Sequence, residues 1–239
     1  MIHDNDEFWD WVYRNINDDV LSLRLRNHGK DEGIDAAVTQ IECRRRCNRK
    51  LTDTLKCRHF VFPSTLSAEQ CTSDILADFH AGLVDDCANV LDMTCGLGID
   101  TFHIARKASS VTAVELNSDT AEAAAHNAKA LSLSNVTILH GDSTSYLKEC
   151  DKRFDTIFID PARRGDAGQR LFALSDCRPD VTALLPDISA HCRKLIVKAS
   201  PMLDVTHTLR ELPMTRDIYI VGNTRECKEL VSVVDFTND

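Results

Sequence analysis

From residue 88 onward the chain alternates short, nearly uninterrupted apolar runs with stretches of helical composition, and this constrains the fold more than any other feature. The runs are Val90–Met93, Val111–Leu116, Val136–Leu139, Phe154–Ile159, Leu195–Val197, Ile218–Val221 and Leu230–Phe236. Between the first five lie segments such as Ala121–Leu131, rich in alanine, the strongest helix former. Strands that are apolar along their whole length are buried on both faces, so the pattern predicts a parallel sheet covered by helices on either side. Only Gly222–Glu229 joins the last two runs, too short a link for a crossover helix, which predicts an antiparallel pair at the end of the sheet. The expected fold is α/β: a doubly wound, seven-stranded, mostly parallel sheet with an antiparallel terminal strand.

Ahead of the sheet, residues 5–60 read as helical. Phe8, Trp9, Trp11, Val12, Ile16, Val20, Leu21, Leu23 and Leu25 follow a helical spacing, broken near Asn27-His28-Gly29, and a second helix is expected from Asp31 to about Lys50. Phe60-Val61-Phe62-Pro63 reads as extended. Ser67-Ala68-Glu69-Gln70 has the pattern of a capping box, predicting a helix that runs on to about Leu83. The expected division is a helical subdomain over residues 1–66 and the sheet domain over residues 67–239.

Charge and cysteine usage narrow the partners. The chain has 28 basic and 37 acidic side chains, a net charge of -9. Residues 43–58 run against that balance, with Arg44, Arg45, Arg46, Arg49, Lys50, Lys56 and Arg58 opposed only by Asp53. Such a stretch is either a phosphate-facing patch or a solvated helix face. No segment approaches the ~20 apolar residues of a membrane span. The acidic N-terminus lacks the apolar core of a signal peptide, so a cytoplasmic protein is expected. Ten cysteines are scattered with no Cys-x-x-Cys pair. Cys43-x3-Cys47-x9-Cys57, with His59 beyond, has helical rather than zinc-ligand spacing, so reduced thiols and no metal are expected.

In a doubly wound sheet, ligands sit beyond the carboxyl ends of the strands, near the reversal of strand order. The first run leads into Asp92-Met93-Thr94-Cys95-Gly96-Leu97-Gly98-Ile99-Asp100, a glycine turn that lets backbone approach a ligand closely. The second ends at Glu115, where a carboxylate can accept both hydroxyls of a ribose. The third ends in Gly141-Asp142-Ser143 and the fourth in Asp160-Pro161-Ala162-Arg163-Arg164-Gly165. Each has a bland reading: the glycines as a tight turn, Glu115 as a helix cap, Asp142 as a loop carboxylate. Four in order at successive strand ends point instead to a nucleoside cofactor. Thr101 stands where a dinucleotide fingerprint has its third glycine, which disfavours a nicotinamide cofactor.

With those residues in view, residues 90–161 resemble the core of a class I S-adenosylmethionine-dependent methyltransferase, and the strand layout extends the likeness over most of residues 67–236. The resemblance implies S-adenosyl-L-methionine as cofactor. Asp92, Gly96 and Gly98 would face its methionine part, Glu115 its ribose hydroxyls, and Asp142 its adenine amino group with Ser143 beside it. Thr94 and Leu116 would complete the set. Ser67-Ala68-Glu69-Gln70-Cys71-Thr72-Ser73, Asp160-Pro161-Ala162-Arg163 and Cys227-Lys228-Glu229-Leu230 are also similar to bacterial methyltransferases that carry a THUMP-like RNA-binding domain after the catalytic core. The sequence ends at Asp239, straight after the last run, so that domain is expected to be absent or removed here. RNA is the implied partner.

The fourth strand end bears on the target atom. Asp160-Pro161-Ala162-Arg163 resembles the Asp-Pro-Pro-aromatic of nucleic-acid amine methyltransferases, with arginine in place of the aromatic. It is also similar to the Asp-Pro-Pro-Arg-x-Gly of RNA 5-methyluridine enzymes, which need a cysteine just after the fifth strand. Here that place reads Lys198-Ala199-Ser200-Pro201, which disfavours covalent catalysis. The resulting expectation is direct transfer to a base nitrogen of RNA, with Asp160, Pro161 and Arg163 catalytic and Arg163 and Arg164 holding substrate. The alternatives are a catalytically silent cofactor-binding scaffold and a methyltransferase of a small molecule or protein.

Overall fold

The computed structural model describes residues 5–27, 32–163 and 173–237. Five helices come first: α1 (Asp6–Arg14), α2 (Val20–Asn27), α3 (Glu32–Cys47), α4 (Thr65–Gln70) and α5 (Asp74–Gly82). Strands and helices then alternate as β1 (Asn89–Asp92), α6 (Ile99–Ala105), β2 (Ser110–Glu115), α7 (Ser118–Ala130), β3 (Val136–His140), α8 (Ser143–Glu149) and β4 (Phe154–Ile159). After β4 come the short strands β5 (Ala162–Arg163) and β6 (Cys177–Arg178), then α9 (Val181–His191), β7 (Cys192–Ala199), α10 (Val205–Glu211), β8 (Thr215–Gly222) and β9 (Cys227–Asp235).

Seven strands form one sheet in the order β3-β2-β1-β4-β7-β9-β8. The first five are mutually parallel, and β9 runs antiparallel to both β7 and β8. The doubly wound expectation holds, including the antiparallel end. The chain order reverses between β1 and β4, opening the crevice at their carboxyl ends. A two-stranded ladder, β5 with β6, was not anticipated; it pairs Ala162 with Arg178 and Arg163 with Cys177 just beyond β4.

Two helix expectations are corrected. The helix expected before Asn27 is two helices, because Asn15-Ile16-Asn17-Asp18-Asp19 ends the first turn of apolar spacing and the Asn15 side-chain amide donates to the Trp11 carbonyl at 2.8 Å. The helix expected from Ser67 to Leu83 is also two. Ser64 caps α4 through the Ser67 N–H and Ser73 caps α5 through the Leu76 N–H, while Cys71 between them is extended. Two serine caps compete with one continuous helix, and the break places Thr72 beside the cavity described below.

The N-terminal helices share their core with the sheet region. Cys43, Cys47, Leu51, Phe60 and Phe62 pack with Leu97, Phe102, Ala113 and Ala124. Trp9, Val12, Val38, Ile41 and Val61 pack with Ala123 of α7. Asn127 of α7 fastens this contact: its amide exchanges bonds of 2.8 and 2.9 Å with the Val61 backbone.

Candidate active site

The carboxyl ends of β1, β2, β3, β4 and β7 open into one cavity of about 1450 Å³. Its wall includes Thr94, Gly96, Glu115, Leu116, Asp142 and Ser143 on one side and Asp160, Pro161, Arg178, Lys198, Ser200 and Lys228 on the other. Most residues expected to face a cofactor therefore meet here. Asp92 and Gly98 stand behind the wall rather than on it.

Asp92 is fully buried and accepts from the Thr94 N–H at 2.9 Å and the Thr101 hydroxyl at 2.5 Å. Burial pushes its carboxyl up to about 7. It braces the glycine turn from below. Gly98, at φ 91°, starts α6, and a Cβ there would stand 2.4 Å from the Phe102 ring. Gly96 is different. At φ +55° it has open space where a Cβ would go, and its N–H donates to Glu115 Oε2 at 2.8 Å. Glu115 also accepts from the Asn117 N–H through Oε1 at 2.8 Å. Each carboxylate oxygen keeps further lone-pair capacity for hydroxyl donors. Asp142 caps α8, accepting from the Thr144 and Ser145 N–H groups through Oδ1, and these bonds with the Thr144 hydroxyl lower its pKa.

At the crevice itself, the Asp160 N–H donates to the Thr94 hydroxyl at 2.7 Å, tying the ends of β4 and β1 together. The Asp160 carboxylate is ion-paired with Lys198 at the end of β7. Burial raises the Asp160 pKa, and Lys198 opposes that shift. For Lys198, burial works against the charge, while Asp160 and Asp100 outweigh it and lift the pKa above the ordinary lysine value.

Lys198 opens a chain of contacts that the sequence reading missed. Its ammonium donates to the Thr72 hydroxyl at 3.1 Å, and Thr72 donates to Asp100 Oδ2 at 2.5 Å. His80, fully buried, bridges Asp100 through Nδ1 at 2.7 Å and Glu229 through Nε2 at 2.7 Å. Burial disfavours the imidazolium, but the two carboxylates raise its pKa to about 9. Thr72, Asp100 and Glu229 all lie within motifs already singled out, Ser67–Ser73, Asp92–Asp100 and Cys227–Leu230. Polar residues inside otherwise apolar or cap-forming segments were the available signal.

The remaining expectations divide. Pro161 is buried on the cavity wall, and the Arg163 backbone pairs with Cys177. The Arg163 side chain and the whole of Arg164 lie outside the described residues. Within the basic stretch, Arg44 is buried and donates to the Arg58 and Phe60 carbonyls at 2.7 Å each, with its guanidinium 4.8 Å from the Trp9 ring. It is a structural strut, not part of a phosphate-facing patch. Arg45 donates to the Asp18 carbonyl, Arg46 pairs with Glu42 and Glu69, and Lys50 donates to the Glu69 and Cys71 carbonyls. Cys43 and Cys47 are buried on α3. Among the described residues no group of three or more His, Cys, Asp or Glu is placed to hold a metal, and no helix is long and apolar enough to cross a membrane.

Residues 90–170 match a family described as a methyltransferase domain. The chain is similar to an uncharacterized RNA methyltransferase of Mycoplasma mobile, 47% identical over 77 residues, or 32% of this chain and 21% of that protein. It is also similar to the 23S rRNA (uracil(1939)-C(5))-methyltransferase RlmD of Pectobacterium atrosepticum, 39% identical over 82 residues, 33% of this chain and 18% of that one. The matched segment thus spans about a fifth of these relatives. A crystal structure of a candidate methyltransferase from Porphyromonas gingivalis W83 superposes over 100% of this chain and 60% of its own, with 31% identity and a TM-score of 0.86.

Proposed function

Because this chain carries a class I S-adenosylmethionine-dependent methyltransferase domain, we propose that it methylates RNA at a base nitrogen by direct, noncovalent transfer. The observation that carries this reading is the cavity, which has a glycine turn and Glu115 on one wall and the Asp160–Lys198 pair on the other. The RNA substrate rests on the names of the Mycoplasma and Pectobacterium relatives. A cytoplasmic location accords with it. We also propose that residues 1–66 act as a helical brace on residues 67–239, through the shared packing of Trp9, Phe60 and Val61.

The residues present fit the cofactor. The open space at Gly96 admits close approach of a ligand to backbone, and Glu115 is held by two N–H bonds with oxygen lone pairs to spare for ribose hydroxyls. Thr94, Leu116, Asp142 and Ser143 would line the rest of that lobe, with Asp92 and Gly98 supporting it from behind. When bound, S-adenosylmethionine supplies a methyl group activated on a sulfonium, and the sulfur keeps the bonding electron pair as S-adenosylhomocysteine leaves.

The chain's own task is then alignment and proton control. Asp160 would accept a hydrogen bond from the target N–H, which aims the nitrogen lone pair at the methyl carbon. As the N–CH3 bond forms, the proton passes from nitrogen to Asp160 and on to solvent. Lys198 opposes the rise that burial imposes on the Asp160 pKa. Pro161, with its fixed φ, would hold the loop that presents Asp160. Arg163 and Arg164 remain our candidates for holding substrate.

A second reading, methylation of uracil C5, is favoured by the name of the Pectobacterium relative. It needs a thiolate nucleophile, and Ser200 occupies the position after β7, leaving Cys71, Cys95 and Cys177 as the cysteines of the cavity wall among the described residues. Calorimetric titration with S-adenosylmethionine, followed by tritium transfer into total RNA with and without ribonuclease, tests the proposal. Ribonuclease-sensitive label, located by nucleoside mass spectrometry on a base nitrogen, supports it. Binding without transfer to RNA defeats it in favour of a silent scaffold or another substrate, and covalent trapping on 5-fluorouridine RNA favours the C5 reading.

A further inference from the structure

Four buried ionisable groups, Glu229, His80, Asp100 and Lys198, run from the last hairpin to the cavity, where they meet Asp160, whose side chain is 40% exposed. His80 has no exposed side-chain surface, and Glu229, Asp100 and Lys198 expose 4%, 11% and 13% of theirs. The elements that meet here are α5, α6, β7, β9 and the turn between α4 and α5. An ion cluster that served only to staple these elements would close on itself. This one ends at Asp160, the group read above as the acceptor of the target's proton.

The arithmetic of charge explains what His80 contributes. Lys198 faces three carboxylates, Asp160, Asp100 and Glu229. His80 bonds directly to two of them, Asp100 and Glu229, each at 2.7 Å. That leaves the lysine ammonium to Asp160, with the Thr72 hydroxyl as its second acceptor. Thr72 in turn points its proton at Asp100, which fixes the direction of the hydrogen bonds along the chain. Asp100 and Asp160 add to the burial that raises the pKa of Asp92, and the rings of Phe79 and Phe158 flank the imidazole at 5.7 and 5.6 Å. With His80 uncharged, two buried carboxylates would compete for the one ammonium that Asp160 needs.

We propose that the buried chain Glu229–His80–Asp100–Thr72–Lys198 fixes the position and the ionised state of Asp160, so that Lys198 and His80 are positioning residues for methyl transfer. The proposal rests on the reading of Asp160 as the acceptor of the target's proton. Its physical content, control of one carboxylate by a remote imidazolium, is measurable without turnover. The raised pKa of His80 agrees with an imidazolium held at neutral pH.

The test combines kinetics with two NMR signals in the full chain bound to S-adenosylhomocysteine. The side-chain carboxyl carbon of Asp160, identified by its loss in Asp160→Asn, should titrate at higher pH in His80→Gln and higher still in Lys198→Met. The His80 ring should show both nitrogens protonated at pH 7.5. In tritium transfer to bulk RNA, His80→Gln should lower kcat about tenfold and Lys198→Met about a hundredfold, with KM for RNA little changed. Lys198→Arg should recover part of the loss. The acid limb of the pH–rate profile should move upward in both uncharged variants. A neutral His80 at pH 7.5, or an Asp160 titration that His80→Gln and Lys198→Met leave unmoved, overturns the proposal. Should His80→Gln fail to fold, the wild-type imidazole signal and Lys198→Met decide by the same criteria. If the wild-type protein transfers no methyl group to RNA, the proposed function falls, and the Asp160 titration still decides the chain.

Discussion

Helices α5 and α6 exchange carboxylates with each other's histidines, and the two exchanges have different surroundings. His80 on α5 takes Asp100 from α6 and adds Glu229 from β9. His103 on α6 takes Asp74 and Asp78 from α5, at 3.1 and 2.5 Å. Both imidazoles are buried, and in both burial opposes a charge that two carboxylates restore. Yet His103 leads away from the cavity. Asp74 goes on to the Asp53 and Thr54 N–H groups, at 2.7 and 3.1 Å, in the N-terminal helical region. His80 leads instead to Thr72, Lys198 and Asp160. The same ion pair therefore fastens a helix in one direction and reaches a candidate reacting centre in the other. What a buried histidine does is decided by where its partners end.

The largest effect expected from breaking this comparison is on stability at alkaline pH. His80 has a folded pKa of about 9 against an unfolded value near 6.5, so its contribution is complete below about 6.5 and is lost as pH rises through 9. A shift of that size corresponds to about 3 kcal/mol. Denaturant titrations at pH 6 and pH 9.5 should show that loss in the wild type, and His80→Gln should flatten it. An unchanged alkaline limb in the variant would mean that His80 is not the group responsible.

Next comes the site end of the His80 chain. Asp160→Ala should bind S-adenosylhomocysteine within a few-fold of wild type but lose turnover by about a hundredfold or more. Calorimetry and initial rates separate the two quantities. Glu115→Ala sharpens the contrast from the other wall of the cavity. Loss of its charged hydrogen bonds should weaken cofactor binding by about tenfold to a hundredfold, corresponding to about 1.5–3 kcal/mol.

At the structural histidine the expectation reverses. His103→Gln should cost about 1–3 kcal/mol of stability, because Asp74 loses a buried partner, while kcat per folded molecule stays at the wild-type value. A tenfold fall in kcat there would dissolve the distinction between the two clusters. The smallest effect belongs to an exposed pair. Arg46→Ala, which removes ion pairs to Glu42 and Glu69, should change stability by less than about 1 kcal/mol.

Much of the fold was legible because a strand buried on both faces must be apolar throughout. All seven apolar runs became strands of the main sheet, and the glycine turn, Glu115, Asp142 and Asp160 stand at the strand ends where the doubly wound pattern puts them. Helix ends were harder. Ser67 carried a capping-box pattern, but Ser64 and Ser73 act as caps, because a cap is chosen by local backbone geometry that several nearby serines can meet. The basic stretch was ambiguous for a related reason. Composition distinguishes a charged residue from an apolar one, but not an arginine that faces solvent from one, like Arg44, that is drawn inward by carbonyls and aromatic rings.

By itself, then, the sequence determined which segments are strands of the main sheet, that this sheet is mostly parallel with an antiparallel end, and which loops surround the crevice. Those properties depend on local periodicity and on connection length. Tertiary structure decided that β9 inserts between β7 and β8, and that His80 meets Glu229, 149 residues away in the chain. It also decided that Lys198 turns to Asp160 rather than to solvent. Burying a charge is tolerable only beside its partner, and which partner is within reach depends on elements distant in sequence packing together.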